Sequence, residues 1–122
     1  MASRVERAKD LQDRTKRFAL RIVRAFPQIA KSEAARIIAR QFLRSGTALA
    51  ANYRAACRSR SAAEFVSKIS IVAEEADETL FWFELLAEAG LITAVVVQPL
   101  MSECEELSKI SSASLATAKR NR

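Results

Sequence analysis

Apolar residues recur through most of this chain at intervals of three and four residues, which is the spacing of one face of an α-helix. The longest such seam consists of Phe65, Ile69, Val72, Ala76, Leu80, Phe83 and Ala87. A second seam consists of Ala35, Ile38, Phe42, Ser45, Leu49, Tyr53 and Ala56. Shorter seams consist of Leu11, Phe18, Ile22 and Phe26, and of Leu100, Cys104, Leu107 and either Ile110 or Ser111. This pattern predicts an all-α protein, an antiparallel up-and-down four-helix bundle in which residues 1–122 form one domain.

A proline and a capping residue set the boundaries of the first two helices. The first is predicted from near Ser3 or Asp10 to Phe26, because the proline that follows disfavours helical backbone in the residue before it. The second is predicted to begin after Ser32, whose hydroxyl can cap the first turn, and to continue to about Cys57.

The stretch RSRS at residues 58–61 then interrupts the helical pattern. Ser61 followed three residues later by Glu64 is typical of a capping box, and it predicts a third helix that ends near Gly90. Small residues in the second helix would let a neighbouring helix approach closely, and they are Ser45, Gly46, Ala48, Ala50 and Ala51. Asn52 is unfavourable in the middle of a helix, so we expect its amide to bond a neighbouring helix or loop.

The fourth helix is predicted over about 93–119. Pro99 lies too far inside it for an ideal first turn, which predicts a kink or a loosely wound start. The residues at about 119–122 are expected to fray. Only two glycines and two prolines occur in the chain, which leaves little turn chemistry for strands.

Residue types that carry catalysis are scarce. The chain has no histidine, so the commonest general base and the commonest metal ligand are both missing. Cys57 and Cys104 lack CxxC spacing and are interpreted as buried free thiols. The carboxylates of EEADE, Glu74 to Glu78, would need inward-facing Glu-x-x-His pairs to form a di-metal site. We therefore expect no enzyme, no metal and no cofactor.

The apolar segments also bear on location. No run reaches the ~18 apolar residues that a membrane span requires, and the N-terminus lacks the apolar stretch of a signal peptide. A cytoplasmic protein without membrane contact is the default expectation.

Charge divides the chain into two unlike halves. Residues 1–60 carry 15 Lys and Arg against 4 Asp and Glu, a net charge of +11, and residues 61–122 carry 5 against 10, a net charge of −5, which together give the total of +6. The basic half contains two rows of arginine at helical spacing. The α2 row consists of Arg36, Arg40, Arg44, Arg54 and Arg58, and the α1 row consists of Arg14, Arg17, Arg21 and Arg24.

Both rows suit a polyanion. The α2 row spans ~33 Å at 1.5 Å per residue, with the small Thr47 and Ala51 between its two ends. Several guanidinium groups in line can neutralise successive phosphates and release counterions, so the rows predict contact with RNA or DNA. A solvated face, or arginines that pair with acidic residues, is the alternative. No RNP-like aromatic motif, GXXG loop or zinc knuckle supports sequence-specific binding.

A second surface is predicted on the third helix, opposite its seam. It combines large apolar side chains with acids, and we assign to it Ile71, Glu74, Glu78, Phe81, Trp82 and Leu85. A monomer is expected to expose them, and large apolar residues ringed by acids are typical of a protein contact. The pattern therefore predicts a homo-oligomer in which helix 3 or 4 of one copy meets helix 1 or 2 of the next, a head-to-tail contact that can close into a ring.

Three segments together resemble a known family. They are SGTALAANYRAACRSRSAAEF, EEADETLFWFELLAEAGLI and TAKRN, and their order and spacing, with Phe26-Pro27 and Gln41, are similar to those of the 23S rRNA intervening-sequence proteins. That family is named for reading frames inside bacterial ribosomal RNA genes. A related branch, the accessory variability determinant of diversity-generating retroelements, forms a basic pentameric barrel that binds nucleic acid and a reverse transcriptase. The resemblance implies a bundle, a pentamer and nucleic-acid binding.

The chain departs from this family at one point. Many members have Asn-Ile-Ala-Glu-Gly-x-Gly where this chain has NYRAACR at residues 52–58, so the acid and both glycines are missing. Any role of that glutamate cannot be transferred, and we expect the end of the second helix to be more helical and more basic. Two functions remain: an accessory protein that binds a nucleic-acid backbone, or a scaffold or protein-interaction module with no nucleic-acid role.

Overall fold

Four α-helices make up nearly all of the computed structural model, which describes residues 3–121. They are α1 (Arg4–Ala25), α2 (Glu33–Cys57), α3 (Ala62–Glu88) and α4 (Ala94–Arg120). A single 3₁₀ turn, Phe26–Gln28, follows α1. The predicted all-α fold with four helices is confirmed.

Capping residues start the first three helices. Ser3 forms a full capping box with Glu6, which settles the start of α1 at Ser3 rather than Asp10. The Ser32 hydroxyl accepts a hydrogen bond from the Ala35 amide at the start of α2. Each cap satisfies an N–H group that has no partner within the helix.

The cap of α3 differs from the predicted capping box. The Ser61 hydroxyl accepts from the Glu64 amide at 3.0 Å, as expected. The Glu64 carboxylate, however, accepts from the amide of Arg60 instead of returning to Ser61, so only half of the box forms. At the other end of α3, Gly90 has φ of +67°, the left-handed conformation that ends helices and that glycine adopts without strain.

The fourth helix runs without interruption from Ala94 through Pro99 to Arg120. The proline has no N–H to donate to the carbonyl of Val95, a residue that is 86% exposed. Lys119 and Arg120 belong to this helix, and the rest of the predicted tail comprises Asn121 and Arg122, the latter outside the described residues.

Contacts between helices show an antiparallel order. Phe42 packs edge-on against Phe83 with ring centroids 4.8 Å apart, and further along α2 the Ser45 hydroxyl accepts from that of Thr79 at 2.9 Å. Residue numbers therefore rise along α2 as they fall along the adjacent α3. The sulfur of Cys104 lies 3.5 Å from the carbonyl oxygen of Ala76, which joins α4 to α3.

The core is centred on Phe18, Phe42 and Phe83, which are fully buried. On α3 the predicted seam is partly wrong. Val66, Thr79 and Leu86 are buried, whereas Phe65, Leu80 and Ala87 are half-buried, and Ile38 of α2 is half-buried too. A helix in a bundle touches two neighbours, so its buried face is wider than one seam and is centred between them. On α4, Ser111 rather than Ile110 is the buried residue.

Small residues of α2 allow close packing, as predicted. A Cβ added to Gly46 would lie 3.0 Å from the nearest side-chain atom of Ile22, so α1 approaches α2 at this glycine. The prediction for Asn52 is wrong. Its amide nitrogen donates to the carbonyl of Ala48 at 2.8 Å, within the same helix, because a short polar side chain reaches the preceding turn more easily than another helix.

Candidate nucleic-acid interface

The α2 row lies on the side of its helix that faces away from the core. Arg36, Arg40, Arg44, Arg54 and Arg58 are all exposed, as the helical spacing predicted. Apart from Arg44, these arginines form no ion pair with any of the residues 3–121. Four guanidinium groups of the α2 row are therefore available to a partner.

Arg44 is the exception because it bridges to α3. One guanidinium nitrogen lies 3.2 Å from Glu75 and another bonds Glu78, while Nε donates to Gln41. Burial raises the pKa of the Glu75 carboxyl, although the charge of Arg44 opposes that shift. Arg44 thus shares one positive charge between two acids of its own chain.

The α1 row faces α4. Arg14 forms a bidentate pair with Glu103, with both nitrogen–oxygen distances at 2.7 Å. This hydrogen bonding lowers the pKa of the Glu103 carboxyl, and the positive charges of Arg14, Arg21 and Arg17 lower it further. Three of the four arginines of the α1 row therefore act on Glu103, an acid of the same chain.

The two rows border different grooves. Arg21 and Arg24 line a shallow groove against the first turns of α4, beside Val96 and Pro99. Arg54 and Arg58 of the α2 row line a groove of about 380 Å³ between α1 and α2, together with Lys16. Lys16 was not among the predicted contact residues, because only the antiparallel packing of α1 against α2 brings it opposite the end of the α2 row.

The predicted contact face of α3 is less exposed than expected. Phe81 is 50% exposed, and its ring packs edge-on against that of Trp82 at 5.1 Å. Ile71, Trp82 and Leu85 are half-buried. The expectation that a monomer exposes all four apolar side chains of this face, these three and Phe81, is therefore wrong. Trp82 packs against the core because it lies on the edge of α3 nearest α2, although its indole N–H finds no acceptor among the described residues.

Acids surround Phe81 on the same face. Glu74 is exposed and Glu78 is half-buried, and both lie at helical spacing with Phe81 and Leu85. Other large apolar side chains are exposed at positions that the sequence did not single out, among them Leu20 and Val23 of α1 and Ile37 of α2. Their exposure depends on how the neighbouring helices pack, which the sequence pattern alone does not show.

The two thiols are free. Cys104 is buried, and burial raises the pKa of its thiol to about 12. Cys57 is only half-buried, next to the Tyr53 side chain. Within residues 3–121 no helix has the length and apolar character to cross a membrane.

Comparison with known proteins agrees with the predicted resemblance. Residues 8–113 match the family described as 23S rRNA-intervening sequence protein. The chain is also similar to a protein of unknown function from the S23 ribosomal protein family of Bacteroides thetaiotaomicron, known from a crystal structure. The two are 32% identical, with a TM-score of 0.78 over 85% of this chain and 96% of that one. No curated protein matches the chain. The chain therefore belongs to the 23S rRNA-intervening sequence protein family.

Proposed function

We propose that this protein is a non-enzymatic, homo-oligomeric bundle that binds the backbone of RNA or DNA through α2, in the cytoplasm, as an accessory to another nucleic-acid protein. The observation that carries the proposal is the set of exposed arginines along α2 that form no ion pair with residues 3–121, which are Arg36, Arg40, Arg54 and Arg58.

Like charges along one helix face repel each other, and a row of phosphates would reverse that repulsion. Each guanidinium group can donate two parallel hydrogen bonds to a phosphate, and binding releases counterions condensed on the nucleic acid. These arginines project from a rigid helix, so their spacing is fixed before the partner arrives. Backbone recognition by such a surface is independent of sequence.

The ion pairs narrow the set of contact residues. Arg14 and Arg44 hold carboxylates of their own chain, so we assign them to the stability of the bundle instead of the interface. Arg17, Arg21 and Arg24 stay exposed, but the first two also act on Glu103. The α2 row is thus the primary surface, and the α1 row is secondary.

The contact face of α3 supports self-association. Phe81 and Leu85 lie among acids on α3, while Leu20 lies between Arg17 and Arg24 on α1, at helical spacing. An apolar centre with an acidic rim thus has a counterpart with a basic rim elsewhere on the same chain. A head-to-tail contact between these two faces closes into a ring, and the resemblance to a pentameric branch makes five copies the expected number.

A scaffold with no nucleic-acid role is the second candidate. It is favoured by Arg14 and Arg44, which show that arginines of both rows bind carboxylates when these are within reach. In that case the remaining arginines would pair with acids of a neighbouring copy or of another protein.

Binding measured across a salt series separates the two candidates. A labelled RNA duplex is titrated with the wild type and with a variant that carries Arg36→Gln, Arg40→Gln, Arg54→Gln and Arg58→Gln. We expect the wild-type affinity to fall steeply with salt, and the variant to bind on the order of 100-fold more weakly at about 0.1 M salt. Its salt slope should be shallower by roughly 0.9 for each lost phosphate contact.

The oligomeric mass of both samples is measured by light scattering. If the wild type fails to bind at low salt, or if the variant separates into monomers, the arginines serve assembly instead of nucleic-acid binding. Either result would favour the scaffold.

A further inference from the structure

The groove between α1 and α2 is lined by three cations. Lys16 comes from α1, Arg54 from the last turn of α2 and Arg58 from the residue that follows α2, and all three are exposed. The two arginines are one helical turn apart, ~6 Å along the axis. Lys16 faces them from the opposite wall, because α1 and α2 run antiparallel.

The small residues and the one acid of the groove leave these cations available. Ala50 and Ala51 contribute only methyl groups to the lining between the cations. Asp13 is the only acid among the lining residues, and its carboxylate already lies 3.4 Å from the ammonium of Lys9. The net charge of the lining is positive and is directed into an open space of about 380 Å³.

The lining also indicates which form of nucleic acid enters. Proteins that hold single strands combine cations with aromatic rings on which the bases stack. The groove is lined by Gln12, Asp13, Lys16, Ala50, Ala51, Arg54 and Arg58, none of which is aromatic. Unpaired bases would therefore find no ring to stack on in this groove. The phosphates of a double helix, whose bases stay paired, can be held by cations alone.

We propose that this groove is the phosphate-binding site of the protein and that it takes the backbone of a double-helical nucleic acid. The inference rests on the proposed nucleic-acid function and specifies it further. It adds Lys16 to the contact residues, makes Arg54 and Arg58 the dominant pair of the α2 row, and excludes readout of unpaired bases.

The test compares two variants with the same loss of charge. One carries Lys16→Gln, Arg54→Gln and Arg58→Gln, and the control carries Lys31→Gln, Lys119→Gln and Arg120→Gln at exposed positions outside the groove. Affinity for a fluorescent RNA duplex and for an unstructured oligothymidine is measured from 50 to 300 mM salt. We expect the groove variant to lose at least about 30-fold for the duplex, with a slope shallower by roughly 2.7, and the control to lose less than about 3-fold.

A steric variant separates space from charge. Ala51→Leu keeps every charge, suits a helix at an exposed position and narrows the groove, so it should weaken duplex binding about 3- to 10-fold without a change in helical content. Circular dichroism confirms that each variant is folded.

The outcomes distinguish this inference from the proposed function. Equal losses in the groove variant and the control, or tighter binding of oligothymidine than of the duplex by the wild type, would overturn the groove and leave nucleic-acid binding intact. A wild type that binds neither probe at 50 mM salt would overturn both.

Discussion

The two arginine rows have the same pattern in the sequence but different surroundings in the bundle. Arg14 of the α1 row forms a bidentate pair with Glu103, and Arg17 and Arg21 act on the same carboxylate. In the α2 row only Arg44 pairs with acids, and the four remaining arginines form no ion pair with the described residues. The spacing of arginines in the sequence therefore predicts which face of a helix they occupy. Acids on the neighbouring helix determine whether those arginines are available to bind a partner.

This difference follows from how the two halves of the chain fold together. The basic half forms α1 and α2, and the acidic half forms α3 and α4. Where α1 meets α4 and α2 meets α3, part of the excess charge is neutralised. On the outer face of α2, Arg36, Arg40, Arg54 and Arg58 form no ion pair with residues 3–121, so part of the excess remains there.

The largest expected effect concerns assembly. If the α1 row and the contact face of α3 meet in the oligomer, then Phe81→Glu with Leu85→Glu should reduce the mass to that of a 13.5 kDa monomer, because four carboxylates and no apolar centre would face the next copy. Light scattering at micromolar concentration measures this.

Charge reversal on α1 tests the other side of the same contact. Arg17→Glu with Arg24→Glu should also dissociate the oligomer, while the matched pair Arg36→Glu and Arg40→Glu on α2 should keep its mass. If the α2 pair dissociates the oligomer and the α1 pair does not, the contact lies on the α2 row and the prediction is wrong.

The second expected effect concerns stability. Arg14→Ala removes one partner of a bidentate pair and leaves Glu103, whose side chain is 20% exposed, without it. We expect a loss of about 1 to 2 kcal/mol in the free energy of unfolding, less than for a fully buried pair because the arginine is partly solvated. Arg36→Ala, which removes an unpaired arginine, should stay within about 0.5 kcal/mol. Urea denaturation of both variants provides the comparison, and equal losses would show that the pair has no special role.

The smallest expected effect is a difference in pH dependence. The pKa of Glu103 is lowered on folding, so its contribution to stability is present above about pH 4.5 and is lost as the pH falls through its folded pKa. The pKa of Glu75 is raised, so its ionised form opposes folding, and this penalty disappears as the pH falls through the folded pKa toward 4.5.

Glutamine variants at the two positions should therefore respond in opposite directions. The stability cost of Glu103→Gln should shrink below about pH 4.5, whereas the wild type should gain stability relative to Glu75→Gln as the pH is lowered. Urea denaturation at several pH values checks this. The same trend in both variants would contradict the assigned causes.

Local signals in the sequence were sufficient to predict where the helices begin. Ser32 and Ser61 cap α2 and α3 as predicted, since a cap depends on residues within one turn, and Ser3 caps α1 at one of its two predicted starts. The exposure of the α2 row also followed from helical spacing alone.

Ion pairing could not be predicted in the same way. Arg44 meets Glu75 over 31 residues of sequence and Arg14 meets Glu103 over 89, so both pairs depend on how the helices pack. The groove was missed for the same reason, because Lys16 and Arg54 lie on different helices. The seam of α3 was misplaced because periodicity shows that a helix has a buried face but not how two neighbours share it.

A single binding experiment that compares the two arginine rows tests whether the α2 row is the primary nucleic-acid surface. One variant carries Arg17→Gln, Arg21→Gln and Arg24→Gln, which keep Leu20 and add no acid to the proposed contact with α3, so the oligomer is expected to persist. The other carries Arg36→Gln, Arg40→Gln and Arg54→Gln, and light scattering measures the mass of both. The salt dependence of RNA-duplex affinity is measured from 50 to 300 mM salt. We expect the salt slope of the α2 variant to be shallower than that of the wild type by roughly 2.7, and the slope of the α1 variant to change by less than about 1. Equal slopes for the two variants, or a larger change for the α1 variant, would contradict this prediction.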